Sequence, residues 1–299
     1  MASRHPIAKG LGIFCLSILL FFCAVFFYAY LTGGEKGVLT VLGGAGIGVV
    51  EVDGPIEESR LVIENLKRFG DSDDIKGVVV RIDSPGGGVV PTQEIYSEIE
   101  RLKKKKPVVA SLGSIAASGG YYIASACTQV VASPGTLTGS IGVIMELGNI
   151  EELMNKLGVK GYTIKSGPHK DVGSPFQPLS PEGRAILQSV VDSVHTQFVQ
   201  AVAKGRNLPE VKVRVVADGR IYSGEQAKGI GLVDVLGSLE DAIDLVAKRV
   251  GLPAKPPIFY APRDDRPWWQ KLLSSFGAEL WGRKQHGGLR YEWSPAFLN

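Results

Sequence analysis

Cysteine, histidine and net charge are all in short supply. The 299 residues hold three cysteines, and two of them, Cys15 and Cys23, lie in one apolar N-terminal stretch. Cys127 is alone in the globular part, so no intradomain disulfide can form there. It closes the run Tyr121 to Ala126, where a buried packing cysteine is expected rather than a nucleophile. The net charge of +3 is too small to suggest a nucleic-acid binder. The strongest basic cluster, Lys103 to Lys106, ends a helical pattern and reads as a solvated helix end. Neither a Walker loop nor GxGxxG is present, which leaves nucleotide binding poorly supported. The nearest approach to a metal cluster is His169 with Asp171, too few ligands. No metal or other cofactor is expected, and no internal repeat is visible.

What is abundant is apolar sequence at one end. Gly10 to Leu31 is a run of 22 residues without a charge, long enough to span a hydrocarbon core as a helix. Arg4 and Lys9 precede it, which places the N-terminus in the cytoplasm and the remainder outside. Tyr28 and Tyr30 suit the membrane interface. The run is long for the apolar region of a cleaved signal peptide, and no Ala-x-Ala site follows. An uncleaved signal anchor is therefore expected, in a bacterial-type inner membrane. The boundaries read as 1–34 for the N-terminus and anchor, 35–47 for a Gly-rich linker, 48–252 for a globular domain, and 253–299 for a tail.

Within the domain, strand and helix patterns alternate. Strands are expected at Gly48–Val52, Gly77–Ile82, Val108–Leu112, Gln129–Ala132 and Ile141–Ile144, with helices at Glu57–Arg68 and Thr92–Lys105. This order points to an α/β fold with a largely parallel sheet. Ser180-Pro181-Glu182 is a helix start, with a cap and a proline at the first position. Ile186, Leu187, Val190, Val191, Val194, Phe198 and Val202 then follow at helical spacing, and His195 reads as a structural residue of that helix. Ser238 caps another helix from Leu239 to about Val250. In the tail, Trp268, Trp269, Leu272, Leu273, Phe276, Leu280 and Trp281 form a short amphipathic pattern. It suits a membrane surface or a neighbouring subunit.

Two stretches carry the chemistry. Val78 to Ile82 runs into Asp83-Ser84-Pro85-Gly86-Gly87-Gly88, and ligands gather at such strand ends in open α/β sheets. Val108 to Leu112 runs into Gly113 to Ala126, where Ser118 is followed directly by Gly119 and Gly120. Ser111 falls in the strand, Ser114 starts the loop and Ser125 sits in the following helix, so Ser118 is the candidate nucleophile. A serine needs a base. His5 lies across the membrane, His286 in the tail and His195 mid-helix, which leaves His169. Its neighbour Lys170 is the rival. A lysine base must be neutral near working pH, and burial can bring it from about 10.4 to near 7.5 at a cost of roughly 4 kcal/mol. The Gly/Pro-rich loop around these two residues does not choose between them.

The ordered set of motifs does. Asp83–Gly88 is followed by Ala116-Ala117-Ser118-Gly119-Gly120-Tyr121-Tyr122 and Thr138-Gly139-Ser140-Ile141-Gly142-Val143. Then come Ser166-Gly167 with Lys170-Asp171 and Gly173-Ser174-Pro175, and finally Gly219-Arg220-Ile221-Tyr222-Ser223-Gly224 with Ala227-Lys228 and Gly231-Leu232-Val233-Asp234. Across about 200 residues this order resembles the signal peptide peptidase A family, membrane-bound Ser-Lys peptidases with a ClpP/crotonase-like spiral of ββα units. The resemblance implies Ser118 as nucleophile, Lys170 as general base and Ser140 as the serine that orients the lysine amine. His169 stands where family members commonly have Tyr, which keeps it as an alternative base. Ser118 should open a helix, so the Gly119 amide faces the developing oxyanion, with Gly87 as second donor by analogy. Related short forms assemble as rings in which neighbouring subunits contribute the Ser and the Lys, so a homo-oligomer is expected. Expected substrates are remnant signal peptides or other apolar peptides, in a groove with small pockets, beside the lipid bilayer. The rival readings are a crotonase-type acyl-CoA enzyme, which an extracytoplasmic domain disfavours, and an inactive peptide-binding scaffold.

Overall fold

In the computed structural model the described residues are 44–263 and 290–292. The expected anchor, residues 35–43 of the linker and the Trp268–Trp281 pattern lie outside them. Among the described residues no helix is long and apolar enough to cross a membrane.

The elements run in this order: β1 (Gly46–Asp53), α1 (Arg60–Asp71), β2 (Ile75–Ser84), β3 (Gly86–Gly88), α2 (Val89–Leu102), β4 (Val108–Ala117), α3 (Gly119–Ala126), β5 (Gln129–Ala132) and β6 (Leu137–Gly139). After these come α4 (Glu151–Lys156), α5 (Pro181–Arg206), α6 (Glu210–Val216), β7 (Ile221–Ser223), α7 (Gly224–Gly229), β8 (Val235–Leu236), α8 (Leu239–Arg249), β9 (Ile258–Tyr260) and β10 (Arg290–Glu292). The main sheet follows the path β7-β6-β4-β2-β1-β9, and β5 joins β4 to β8. All its pairs are parallel except β6 with β7. The mixed α/β expectation with a largely parallel sheet therefore holds.

The central strands are continuous apolar runs because both faces of the sheet are covered. Val78, Val80, Ile82, Val108, Ala110 and Leu112 pack on one face, in the core that also takes in the helices α2, α3 and α5. The alternate residues Val49, Val79, Val109 and Val131 pack on the other, against Ala242, Ile243 and Val246 of α8. Each such Val or Ile, fully buried, contributes about 1.5–3 kcal/mol. α5 and α8 start where their caps direct. Ser180 Oγ accepts the Gly183 N–H at 3.0 Å, and Ser238 forms a capping box with Asp241.

Four expectations shift. α1 starts at Arg60, not at residue 57, because Ile56 is held extended: its N–H donates to Gly86 O at 2.8 Å. α2 runs over Val89–Leu102 rather than Thr92–Lys105, since the chain turns helical directly after β3. The strand expected at Ile141–Ile144 is not formed. Its place beside β4 is taken by Leu137–Gly139, and Ser140, at φ 48°, turns the chain away. Ile144 makes only an isolated bridge, to Arg290. Finally, the sheet extends past the expected domain limits of 48 and 252. β1 starts at Gly46 and β9 pairs with β1, while β10 pairs with β3 in a separate two-stranded sheet.

Candidate active site

β4 splits at its far end, and the split positions Ser118. Val109 to Ser111 pair with β5, whereas Ile115 to Ala117 pair with β6. Ser118 follows the last paired residue and caps α3. It is buried, 1% exposed, and takes φ 52° and ψ −115°, a region that L-residues rarely occupy. Its N–H donates to Gly139 O and its C=O accepts from Tyr122 N–H, both at 2.8 Å. The backbone on each side is thus fixed, while the hydroxyl makes no capping bond. Ser118 opens a helix as expected, and the Gly119 amide is the first N–H of α3, without an intrahelical acceptor.

The glycine turn lies alongside. Asp83 braces it: its Oδ1 accepts Ile115 N–H at 3.1 Å and its C=O accepts Gly54 N–H at 2.9 Å. Buried Ser84 accepts the Gly86 N–H on its Oγ at 3.1 Å. Gly86 has φ +104°, and a Cβ there would sit 2.7 Å from the Gly119 nitrogen. Only glycine lets this turn approach α3 so closely. Gly86 C=O and Gly88 N–H are both bonded to Ile56. By strand alternation, Gly87 therefore turns its own N–H and C=O the other way, and a Cβ on Gly87 would meet the Ile56 oxygen at 2.4 Å.

Ser140 lies one residue beyond the Gly139 carbonyl that holds Ser118. It is buried and its N–H donates to Arg220 O at 2.8 Å, which joins the Gly219–Gly224 motif to the site. Lys170 and His169 stand elsewhere in kind. Both are exposed, in the turn Pro168–Gly173. Among the described residues Lys170 makes no side-chain hydrogen bond or ion pair, and His169 Nε2 lies 3.6 Å from Glu182. Asp171 pairs with Lys165, not Lys170, at 2.7 Å, and this bond holds its carboxyl below the usual range. No described contact joins Ser118 to either candidate base within one chain.

The competing groups are otherwise engaged. Ser111 Oγ accepts from Arg81 at 3.0 Å, Ser125 Oγ donates to Tyr122 O at 2.7 Å, and Ser114 is exposed. Burial pushes the Cys127 thiol up to about 12. Among the described residues no cluster of His, Cys, Asp or Glu could hold a metal. Two surface clefts, one bordered by Ile63 and Gln93 and the other by Glu51 and Tyr260, include none of Ser118, Ser140, His169 and Lys170.

Sequence reasoning missed several residues packed around α3, the helix that Ser118 opens. Thr92 Oγ1 is buried without a hydrogen-bond partner among the described residues, 2.9 Å from where a Cβ on Gly119 would lie. Tyr122 and Phe198 pack at 4.8 Å between ring centroids. Their apolar spacing signalled core, and nothing in a linear pattern brings α3 and α5 together beside the turn.

The family model described as peptidase family S49 matches residues 100–253, which include Ser118, Ser140 and Lys170. The model described as Clp protease matches residues 49–136. The chain is 48% identical over 205 residues to a Synechocystis sp. protein named "Putative protease", covering 68% of this chain and 74% of that one. It is 43% identical over 187 residues to an Enterococcus faecium protein named "Putative signal peptide peptidase SppA", covering 62% of this chain and 54% of that one. It is 34% identical over 230 residues to "Serine protease SPPA, chloroplastic" of Arabidopsis thaliana, covering 75% and 34%.

Proposed function

From the premise that the chain belongs to peptidase family S49 and is a serine peptidase with a ClpP-like α/β domain, we propose that it is a membrane-anchored endopeptidase with a Ser118–Lys170 dyad. The observation that carries this reading is the backbone of Ser118: a buried serine in a left-handed conformation at a strand-to-helix junction. Such strain persists where the surroundings over-determine it, and it collects at functional sites. Ser118 attacks a peptide carbonyl, an acyl-enzyme forms, and water resolves it. Lys170 takes the serine proton and returns it to the leaving amine. Gly119 and Gly87 donate to the oxyanion, and Ser140 aims the lysine.

A second copy of the chain completes the site. Two features support this part. Lys170 is exposed and pairs with no side chain among the described residues, and it rides on a segment that exposes Leu147, Leu153, Leu157, Tyr162, Ile164 and Phe176. A run of exposed apolar side chains on that scale marks a contact surface. Docking it on a neighbour buries the apolar residues and can bring the lysine to the neighbour's Ser118. The peptidase domain is held outside the cytoplasm by Gly10–Leu31, where remnant signal peptides and other apolar peptides are the substrates.

The test is hydrolysis of an apolar fluorogenic peptide by the purified full chain in detergent. Activity is expected to vanish with Ser118→Ala and Lys170→Ala and to survive His169→Ala. Loss with His169→Ala and survival with Lys170→Ala would replace the lysine by the histidine. Inactive wild-type assemblies would leave a peptide-binding scaffold.

A further inference from the structure

α2 follows β3 without a break, so its first turns pack against the glycine turn and α3. Thr92 lies on that face. It is 0% exposed, and its Oγ1 has no hydrogen-bond partner among the described residues. A helical threonine can turn its hydroxyl back to the carbonyl three or four residues earlier. Thr92 does not: neither Val89 O nor Gly88 O receives it. A buried hydroxyl without a partner costs free energy that a valine of the same shape avoids. Packing alone therefore does not account for this oxygen, whereas a partner that arrives with the substrate does.

The surroundings show where that partner stands. A Cβ on Gly119 would lie 2.9 Å from Thr92 Oγ1 and 3.2 Å from Gly86 Cα. A Cβ on Gly86 would lie 2.7 Å from the Gly119 nitrogen. Thr92 Oγ1 thus borders the gap between the glycine turn and the first residue of α3, where the candidate oxyanion donors lie. A carbonyl oxygen fits this gap. That of Tyr291, whose ring packs on Tyr122 and Phe198, lies 3.1 Å from the same Gly119 Cβ position. Thr92 Oγ1 still stays unbonded, so a planar carbonyl in the gap does not engage it.

We propose that Thr92 is a further catalytic residue, whose hydroxyl donates to the oxyanion of the tetrahedral intermediate beside the Gly119 and Gly87 amides. This rests on the peptidase reading. When Ser118 Oγ attacks, the carbonyl carbon turns from planar to tetrahedral, and its oxygen moves and takes on the negative charge. The hydroxyl then meets an acceptor that the planar substrate does not offer it. The proton stays on Thr92 Oγ1 throughout, and the serine proton still travels by way of the base. An interaction made only in the transition state raises kcat without tightening substrate binding.

Two substitutions separate the hydroxyl from its packing. Thr92→Val removes the hydroxyl and keeps the shape, whereas Thr92→Ser keeps the hydroxyl and removes a methyl. The measurement is steady-state hydrolysis of an apolar reporter peptide by the full chain in detergent, with thermal melts of the same preparations. Thr92→Val is expected to lose roughly 10- to 100-fold in kcat, with KM changed by no more than about twofold, and to melt no lower than wild type. Thr92→Ser is expected to recover most of the lost kcat while melting lower than wild type. Activity and stability then move in opposite directions, which a packing role does not produce. A peptide boronate, which forms a tetrahedral adduct with Ser118, is expected to bind Thr92→Val more weakly by the same factor as the loss in kcat. Wild-type kcat in Thr92→Val overturns the proposal and leaves the peptidase reading standing. So does a rise in KM alone, or a Thr92→Ser chain as slow as Thr92→Val. A Thr92→Val chain that melts well below wild type overturns it too, because the hydroxyl then has a structural partner. A wild-type chain that leaves the reporter intact overturns the peptidase reading, and the role of Thr92 with it.

Discussion

The amide of Ser118 donates to the carbonyl of Gly139 at 2.8 Å, and this bond ties the residue after β4 to the residue before Ser140. Both serines take left-handed backbone angles, φ 52° and φ 48°. The paired ends of β4 and β6 thus hold two unfavourable conformations side by side, each costing about 1–3 kcal/mol.

The strain at Ser118 can be measured apart from its chemistry. Ser118→Ala and Ser118→Gly both remove the hydroxyl and are expected to abolish peptide hydrolysis. Glycine accepts the positive φ without penalty, although it loses roughly 0.5–1 kcal/mol of unfolded-chain entropy relative to alanine. The net gain of Gly over Ala is expected to be about 1 kcal/mol, or roughly 2–4 °C in Tm for a domain of this size. Equal melting temperatures would show that the junction is not strained.

The local signals were legible where one face or one cap decides the outcome. The Ser180-Pro181 start, the Ser238 cap, the Gln129–Ala132 strand and the helix opened by Ser118 all read directly from the residues. What did not read was anything set by pairing at a distance. Ile56 is extended because it bridges Gly87, and this delays α1. The residues past β6 leave the sheet because Ser140 adopts a positive φ, which no apolar run reveals. Tyr291 lies far along the chain from its partners Tyr122 and Phe198, and only the folded strand order brings them together. Lys170, named by resemblance, lies apart from Ser118 within one chain because an exposed segment carries it.

That separation makes a sharp prediction. Ser118→Ala and Lys170→Ala, each inactive alone, are expected to recover activity when co-assembled. A chain with intact Ser118 then sits beside a chain with intact Lys170. Random mixing in equal amounts completes about a quarter of the sites. No recovery, with mixed assemblies verified by two affinity tags, would mean that each chain supplies its own base.

The exposed segment makes another. Tyr162 and Ile164 are 88% and 102% exposed, so replacing them by aspartate should change the stability of the isolated chain by no more than about 0.5 kcal/mol. At a contact between copies the same charges are buried and costly. Tyr162→Asp with Ile164→Asp is expected to sediment as a smaller species than wild type, with unchanged circular dichroism and no peptide hydrolysis. Unchanged assembly and activity would place the contact elsewhere.

Cys127 gives the pH-dependent case. Its thiol is buried, and burial pushes its titration up to about 12, against about 8.5 in an unfolded chain. Below pH 8 both states hold the proton and the residue adds no pH dependence. Between about 8.5 and 12 the unfolded chain releases the proton and the folded one retains it, so stability falls as pH rises. The slope from this group is at most about 1.4 kcal/mol per pH unit. Denaturant unfolding of wild type and Cys127→Ala, both in a Cys15→Ser, Cys23→Ser background, is expected to give curves that converge in slope below pH 8. Above pH 9 wild type should lose stability faster. Parallel curves up to pH 11 would show that Cys127 titrates normally in the folded protein and is open to solvent.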